Sequence, residues 1–169
     1  GVPPGLSPFT MSSRARERLV DRSQSWYLDV SMIAAYVESG ATRSYHHTAP
    51  ISMVFALHAG LGALIEEGLE TSWQRHAECG SLLQDGLVER GFELFAAPGH
   101  RLPQLTTVVV PEGVDEAKVR RRLLDEYRIE IGGGLGEYAG KVWRIGCMGH
   151  TARRSNVALL LGAIDELVG

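Results

Sequence analysis

The order of strand and helix patterns after Glu93 is the feature that most constrains how this chain can fold. Runs typical of strands cover four segments, 92–96 (FELFA), 105–111 (LTTVVVP), 129–133 (IEIGG) and 141–148 (KVWRIGCM). A helical pattern beginning at Asp115 separates the second run from the third, and an amphipathic helix follows the fourth. The order strand, strand, helix, strand, strand, helix predicts a compact α+β module over residues 93–169, with helices covering one face of a sheet.

Two long helices are predicted before this module. Apolar residues recur at spacings of three and four between Pro50 and Glu67, with Thr48 at the N-cap position and Gly68 at the C-cap. A second helix is predicted from Glu70 to Arg90, ended by Gly91. One face of it carries Trp73, His76, Leu83 and Leu87.

The first part of the chain has weaker patterns. A short strand is predicted over residues 5–12 (GLSPFTMS), ending at Ser12. A serine-capped helix is predicted over residues 12–22 (SSRARERLVDR), and another helix over residues 32–37. We therefore expect three regions. Residues 1–68 belong to a first domain, residues 69–92 form a linking helix, and residues 93–169 form the small α+β domain.

Composition excludes several classes of function. The net charge is −3 and no basic run occurs, which argues against a nucleic-acid partner. The longest apolar runs, such as VALLLGAI, are too short to span a bilayer, so no membrane association is expected. Cys79 and Cys147 are the two cysteines, which is typical of a reducing compartment and predicts a cytoplasmic protein.

The stretch RSYHHTAP contains candidate anion-binding groups. Thr48 precedes a long helix, whose first amides and positive dipole end favour an anion, and Tyr45 adds a second hydroxyl. The alternative is that Thr48 caps its helix and Tyr45 packs. The adjacent His46 and His47 have no partners at metal-ligand spacing, so no metal site is predicted.

Arg144 is the candidate for binding a carboxylate. Alternation along KVWRIGCM places Trp143, Ile145 and Cys147 on one face of a strand and Arg144 on the other. A guanidinium in an apolar strand must be solvated or paired, and its planar set of donors suits a carboxylate. The sequence leaves open whether Arg144 binds a ligand, is exposed, or pairs with an acidic neighbour such as Glu130.

Other motifs favour no established chemistry. The glycine-rich IGGGLGEYAG does not match a phosphate-binding loop, and a flexible connection that permits close backbone approach suits it better. No GxSxG motif occurs, and Cys79 lies within a helix without a nearby activating base.

Taken together, several stretches resemble the alanine–glyoxylate/serine–pyruvate aminotransferases, the class V group of fold-type-I enzymes that use pyridoxal 5′-phosphate (PLP). The resemblance is carried by PPGLSP at 3–8, YHHTAP at 45–50, IEIGGGLG at 129–136 and WRIGCMG at 143–149, with GLETSWQRH and RLPQLTTVVVP between them. It implies an α/β fold, in which this chain comprises the C-terminal part of the large domain and the small α+β C-terminal domain.

The resemblance also implies roles for individual residues. Tyr45 and Thr48 match residues that reach the PLP phosphate of the neighbouring subunit, which implies a homodimer. Arg144 matches the arginine that binds the substrate's α-carboxylate. The family's Schiff-base lysine precedes the PPG turn, so it would lie before Gly1, and the surroundings of Lys118 and Lys141 do not match it.

The implied reaction moves an amino group between a small amino acid, alanine or serine, and a 2-oxo acid, glyoxylate or pyruvate. Without the lysine-bearing N-terminal portion, which is a possible partner, the chain alone is expected to be inactive. The alternatives are another class V transaminase, of the pyridoxamine–pyruvate or 2-aminoethylphosphonate type, and a folded but non-catalytic fragment.

Overall fold

The structure, a computed structural model, describes residues 2–38 and 45–168 and divides the chain into two units. The first unit is Val2–Gly62, and the second runs from Ala63 onward. The division predicted at residues 68 and 92 concerns the domains of the intact protein and stays a prediction.

The first unit contains helices α1 (Ser13–Arg16) and α2 (Val30–Glu38) and most of α3 (Ile51–Glu67). Ser12 caps α1 as predicted, accepting from the Ala15 amide at 3.3 Å, but this helix is only one turn long. The strand predicted over residues 5–12 is wrong, because no described segment pairs with it and Pro8 has no amide to donate.

The start of α3 differs from the prediction. The Pro50 carbonyl accepts from the amides of Met53 and Val54, so Pro50 occupies the position assigned to Thr48. Gly68 ends α3 as predicted and has φ 86°, a conformation that favours glycine. Its carbonyl in turn accepts from the Ser72 amide in the first turn of α4.

Helix α4 (Leu69–Glu89) packs one face into the second unit. Its buried residues are Ser72, Cys79, Gly80, Leu83, Gly86 and Leu87. Trp73, which was predicted on the same face as Leu83 and Leu87, is 61% exposed, so that face is only partly buried. Gly91 follows the helix at φ 82°, as the predicted C-terminal signal requires.

The sheet of the second unit contains β1 (Leu105–Val109), β2 (Gly132–Gly133) and β3 (Val142–Gly146) in the antiparallel order β1-β3-β2. Two predicted strands are shorter than expected. The segment 92–96 contributes one bridge, Leu94 to Val108, and the segment 129–133 retains only its two glycines as strand.

Two helices complete the α+β module predicted after Glu93. Helix α5 (Glu116–Tyr127) begins at the predicted cap, where Asp115 accepts from the Lys118 amide at 3.0 Å, and α6 (Arg154–Val168) is the last helix. Together with α4 they cover one face of the sheet. The core on this face includes Trp143 and Ile145 of β3, and Cys147, which directly follows β3. The opposite face of the sheet carries Arg144.

Among the described residues, no single helix is long and apolar enough to cross a membrane; α3 and α4 pass such a test only as a bent pair, by length and composition alone.

Candidate functional site

An aromatic cluster in the first unit places the RSYHHTAP motif. It consists of Trp26, Tyr27, Tyr36, Tyr45, His46 and His47. His46 is its buried member, with 4% of its surface exposed, and stacks on Trp26 at a centroid distance of 4.4 Å. The segment before α3 is therefore anchored by ring packing.

The hydrogen bonds of His46 assign its tautomer. Its Nε2 lies 2.9 Å from the Trp26 carbonyl oxygen, which can only accept, so Nε2 carries the proton. In the neutral ring Nδ1 then accepts from His47 Nδ1–H, 2.7 Å away. Both nitrogens of His46 are used to hold the segment, which leaves it a positioning role.

Tyr45 and Thr48 lie beside this anchor with their hydroxyls 2.6 Å apart. Tyr45 is 72% exposed, so it is not a packed core residue of the described chain. Thr48 is exposed too, and its hydroxyl is not used to cap α3. The structure thus brings together two of the three predicted site residues and leaves both hydroxyls accessible to one acceptor.

Arg144, the third predicted site residue, belongs to the second unit. It is half-buried, and its Nε donates to the Gly133 carbonyl at 2.8 Å. Six other arginines form ion pairs, whereas Arg144 forms none with the acidic residues in 2–38 and 45–168. The pairing with Glu130 that the sequence left open is therefore not formed. The terminal nitrogens of Arg144 remain free of acidic partners in the described chain.

An ion pair on α5 lies next to β2, the strand that contains Gly133. Arg120 Nε donates to Glu116 Oε2 at 2.7 Å, one helical turn away. The hydrogen bond from Arg120 lowers the pKa of the Glu116 carboxyl, and the Glu116 carboxylate raises the pKa of Arg120. Sequence reasoning missed this pair, although its spacing of four residues on a helix was a signal.

A second network holds the loop after β3. Arg75 donates to the carbonyls of Gly149 and Ala152 at 2.8 Å each, while Glu67 binds another edge of its guanidinium. His76 donates from Nδ1 to the Ser72 carbonyl and accepts the Gly149 amide at Nε2, at 2.6 and 2.8 Å. Helix α4 therefore fixes the loop that follows the Arg144 strand.

Other reactive side chains do not form a site in the described chain. No group of three or more His, Cys, Asp or Glu residues that could hold a metal ion occurs in residues 2–38 and 45–168. Cys79 and Cys147 are free and buried, and burial raises the pKa of the Cys147 thiol. Lys118 and Lys141 are exposed, on α5 and just before β3.

Comparison with known proteins identifies relatives along almost the whole chain. No protein-family model matches it. Alanine–glyoxylate aminotransferase of Callithrix jacchus is 42% identical over 170 residues, which cover 98% of this chain and 41% of that protein. The crystal structure of alanine–glyoxylate aminotransferase from Nostoc sp. matches with a TM-score of 0.89 and 46% identity, covering 99% of this chain and 45% of that one.

A third similar protein is named for a different activity. The crystal structure of pyridoxamine–pyruvate aminotransferase from Mesorhizobium loti matches with a TM-score of 0.81 and 26% identity, covering 92% of this chain and 40% of that one. The chain thus spans less than half the length of these three proteins. Over almost its whole length the chain is similar to the C-terminal portion of alanine–glyoxylate aminotransferases, and the solved structures that it resembles are class V aminotransferases of fold type I.

Proposed function

We propose that the protein to which this chain belongs is a PLP-dependent aminotransferase that moves an amino group between alanine or serine and glyoxylate or pyruvate. The observation that carries this proposal is Arg144, whose Nε is bound to the Gly133 carbonyl and whose other nitrogens have no acidic partner in the described chain. A guanidinium so arranged can bind the carboxylate that amino acids and 2-oxo acids share.

Tyr45 and Thr48 suit the phosphate of the cofactor. Phosphate oxygens accept hydrogen bonds, and each exposed hydroxyl has one proton to donate, so both can donate to the same phosphate when their mutual hydrogen bond of 2.6 Å is broken. We assign this contact to the cofactor of the neighbouring subunit in a homodimer. The exposure of both side chains supports the assignment, because a group that serves a second subunit must be reachable from outside its own chain.

The cofactor, when bound, supplies the electron sink for breaking the bond at the amino-bearing carbon and carries the amino group between substrates. The described residues bind and orient. Arg144 holds the carboxylate of the amino donor and then that of the oxo acid, so one contact serves both half-reactions. Lys118 on α5 and Lys141 before β3 are both exposed, and we assign the cofactor-carrying lysine to neither.

The main alternative is a pyridoxamine–pyruvate transaminase, supported by the similarity to the Mesorhizobium loti enzyme. Pyridoxamine has no carboxylate, whereas alanine and serine do. An amino donor without a carboxylate would not need Arg144 in the first half-reaction. Comparing turnover with alanine and with pyridoxamine as donors separates these two functions.

The test of the proposal is the substitution Arg144→Gln in the complete enzyme. We expect KM for the amino donor and for the oxo acid to rise about 30-fold or more, since truncating one partner of a hydrogen-bonded charge pair costs roughly 2–5 kcal/mol. PLP content should be unchanged. Arg121→Gln, which removes an exposed arginine of α5, is the matched control. Unchanged KM values in Arg144→Gln would refute the assignment.

A further inference from the structure

The glycines of β2 lie directly beside Arg144. In the β2–β3 pairing, Gly132 is opposite Arg144 and Gly133 is opposite Trp143. Residues directly opposite each other in an antiparallel pair project to the same face of the sheet. A Cβ on Gly132 would lie 3.3 Å from Arg144 Nη2 and 3.6 Å from its Cζ and Nε. The guanidinium therefore occupies the space that any other side chain at position 132 would enter.

The hydrogen bond to Gly133 decides which edge of the guanidinium is free. A carboxylate can be bound in a bidentate manner through Nε and one Nη, or through the two Nη groups. Arg144 Nε already donates to the Gly133 carbonyl at 2.8 Å. The edge left for a carboxylate is the one formed by Nη1 and Nη2.

The opposite face of β2 is supported by the ion pair of α5. A Cβ on Gly133 would lie 3.4 Å from Arg120 Nε and 3.5 Å from its Cζ and Nη2. Glu116 holds that guanidinium through two hydrogen bonds, of 2.7 and 3.3 Å. The Gly132–Gly133 strand is thus enclosed between two guanidinium groups, and each glycine leaves room for one of them.

From this geometry we propose that Gly132 and Gly133 are positioning residues for Arg144 and make it bind the substrate carboxylate end-on, through Nη1 and Nη2. The proposal rests on the proposed function, because it concerns the carboxylate that Arg144 binds there. Gly132 provides the surface on which the guanidinium lies. The Gly133 carbonyl fixes its rotation, and Arg120 with Glu116 supports the strand from behind.

The first measurement is made on the enzyme without any glycine substitution. In a ¹H–¹⁵N correlation spectrum, the Arg144 Nε–H signal is identified by its loss in Arg144→Lys. We expect it to exchange with water at least about tenfold more slowly than the Nε–H of the exposed Arg121, because it is bound to the Gly133 carbonyl. Equal exchange rates would overturn the positioning role without the need for a glycine variant.

The second measurement compares Gly132→Ala with Gly162→Ala in the complete enzyme. A Cβ on Gly162 meets nothing within 4 Å, so it controls for the added methyl group. Displacement of the guanidinium by a few tenths of an ångström should raise KM for both substrates about tenfold in Gly132→Ala and leave PLP content unchanged. Gly162→Ala should behave as the parent enzyme.

Arg144→Gln, measured in parallel, separates the two proposals. If Arg144→Gln raises KM and Gly132→Ala does not, Arg144 binds the carboxylate but β2 does not position it, and the inference fails alone. If Arg144→Gln leaves KM unchanged, the proposed function fails. If both raise KM and the Nε–H is protected, the inference stands.

Discussion

Tyr45 and Thr48 share a hydrogen bond that neither the helix nor the core requires. Their hydroxyls are 2.6 Å apart on the exposed side of a segment whose fixed point is the buried His46. Side chains of this kind can be changed with little effect on folding, so their substitution reports on binding.

We expect Thr48→Val and Tyr45→Phe each to weaken PLP binding by the complete enzyme about tenfold or more, because hydrogen bonds to charged groups contribute roughly 1.5–3 kcal/mol. The measurement is the dissociation constant of PLP, by absorbance titration of the apoenzyme. Tyr36→Phe is the control, because Tyr36 packs in the same cluster without a hydroxyl contact among the described residues. The same constant in all four proteins would contradict the phosphate assignment.

For single residues the sequence identified candidate side chains but not the groups that they contact. Alternation along 141–148 separated Arg144 from Trp143 and Ile145, because strand geometry is local. The partner of Arg144 is a carbonyl eleven positions earlier in the chain, at Gly133, and only the register between β2 and β3 brings it there. Thr48 was misassigned as a cap because a hydroxyl before a helix is compatible with either role.

Among the elements, helix α5 owes part of its stability to the pair Glu116–Arg120. Glu116 is its first residue, where the helix dipole favours a negative charge, and the hydrogen bond from Arg120 lowers its carboxyl pKa. A carboxyl group whose pKa is lower in the folded than in the unfolded state stabilises the fold when the pH is above the unfolded-state pKa, about 4.3. That contribution is lost as the pH falls through the folded value.

We therefore expect Glu116→Gln to reduce the free energy of unfolding by about 0.5 kcal/mol at pH 7, which is the usual contribution of an ion pair four residues apart on a helix. Well below pH 4, where Glu116 is protonated, the substitution should cause no measurable change. Urea denaturation of parent and variant at both pH values is the measurement. Glu126→Gln removes the more exposed pair with Arg122 and should have a smaller effect. A difference that persists unchanged in acid would exclude the charged pair as its cause.

Helices were predicted better than strands for a physical reason. Caps such as Asp115 and the glycines after α3 and α4 act within a few residues, so the sequence contains the whole signal. A strand needs a partner elsewhere in the chain. The segment 92–96 has strand composition but keeps one bridge to β1, whereas Gly132–Gly133, which has little strand propensity, pairs because β3 lies beside it.

Over the whole molecule, burial is distributed unequally between the two units. Every buried hydrophobic side chain of the described residues lies between Cys79 and Ile164. Among the described residues of Val2–Gly62, His46 alone is buried. Apolar side chains of α3, including Val54 and Phe55, are exposed and add little to the stability of the described chain.

This distribution predicts the order in which the chain opens. Segments with few buried contacts open at lower free energy, and a difference of about 1.4 kcal/mol changes a protease-accessible population tenfold. We expect trypsin to cleave the native chain after Arg14, Arg16 or Arg18 at least about tenfold faster than after Arg121 on α5. Timed digestion followed by intact-mass analysis measures both rates. In the urea-unfolded chain the two cleavage rates should converge. That convergence would show that the local sequence around each arginine does not cause the difference in the native chain. Equal rates in the native chain would mean that the first unit is stabilised as strongly as the second, contrary to the burial that the structure shows.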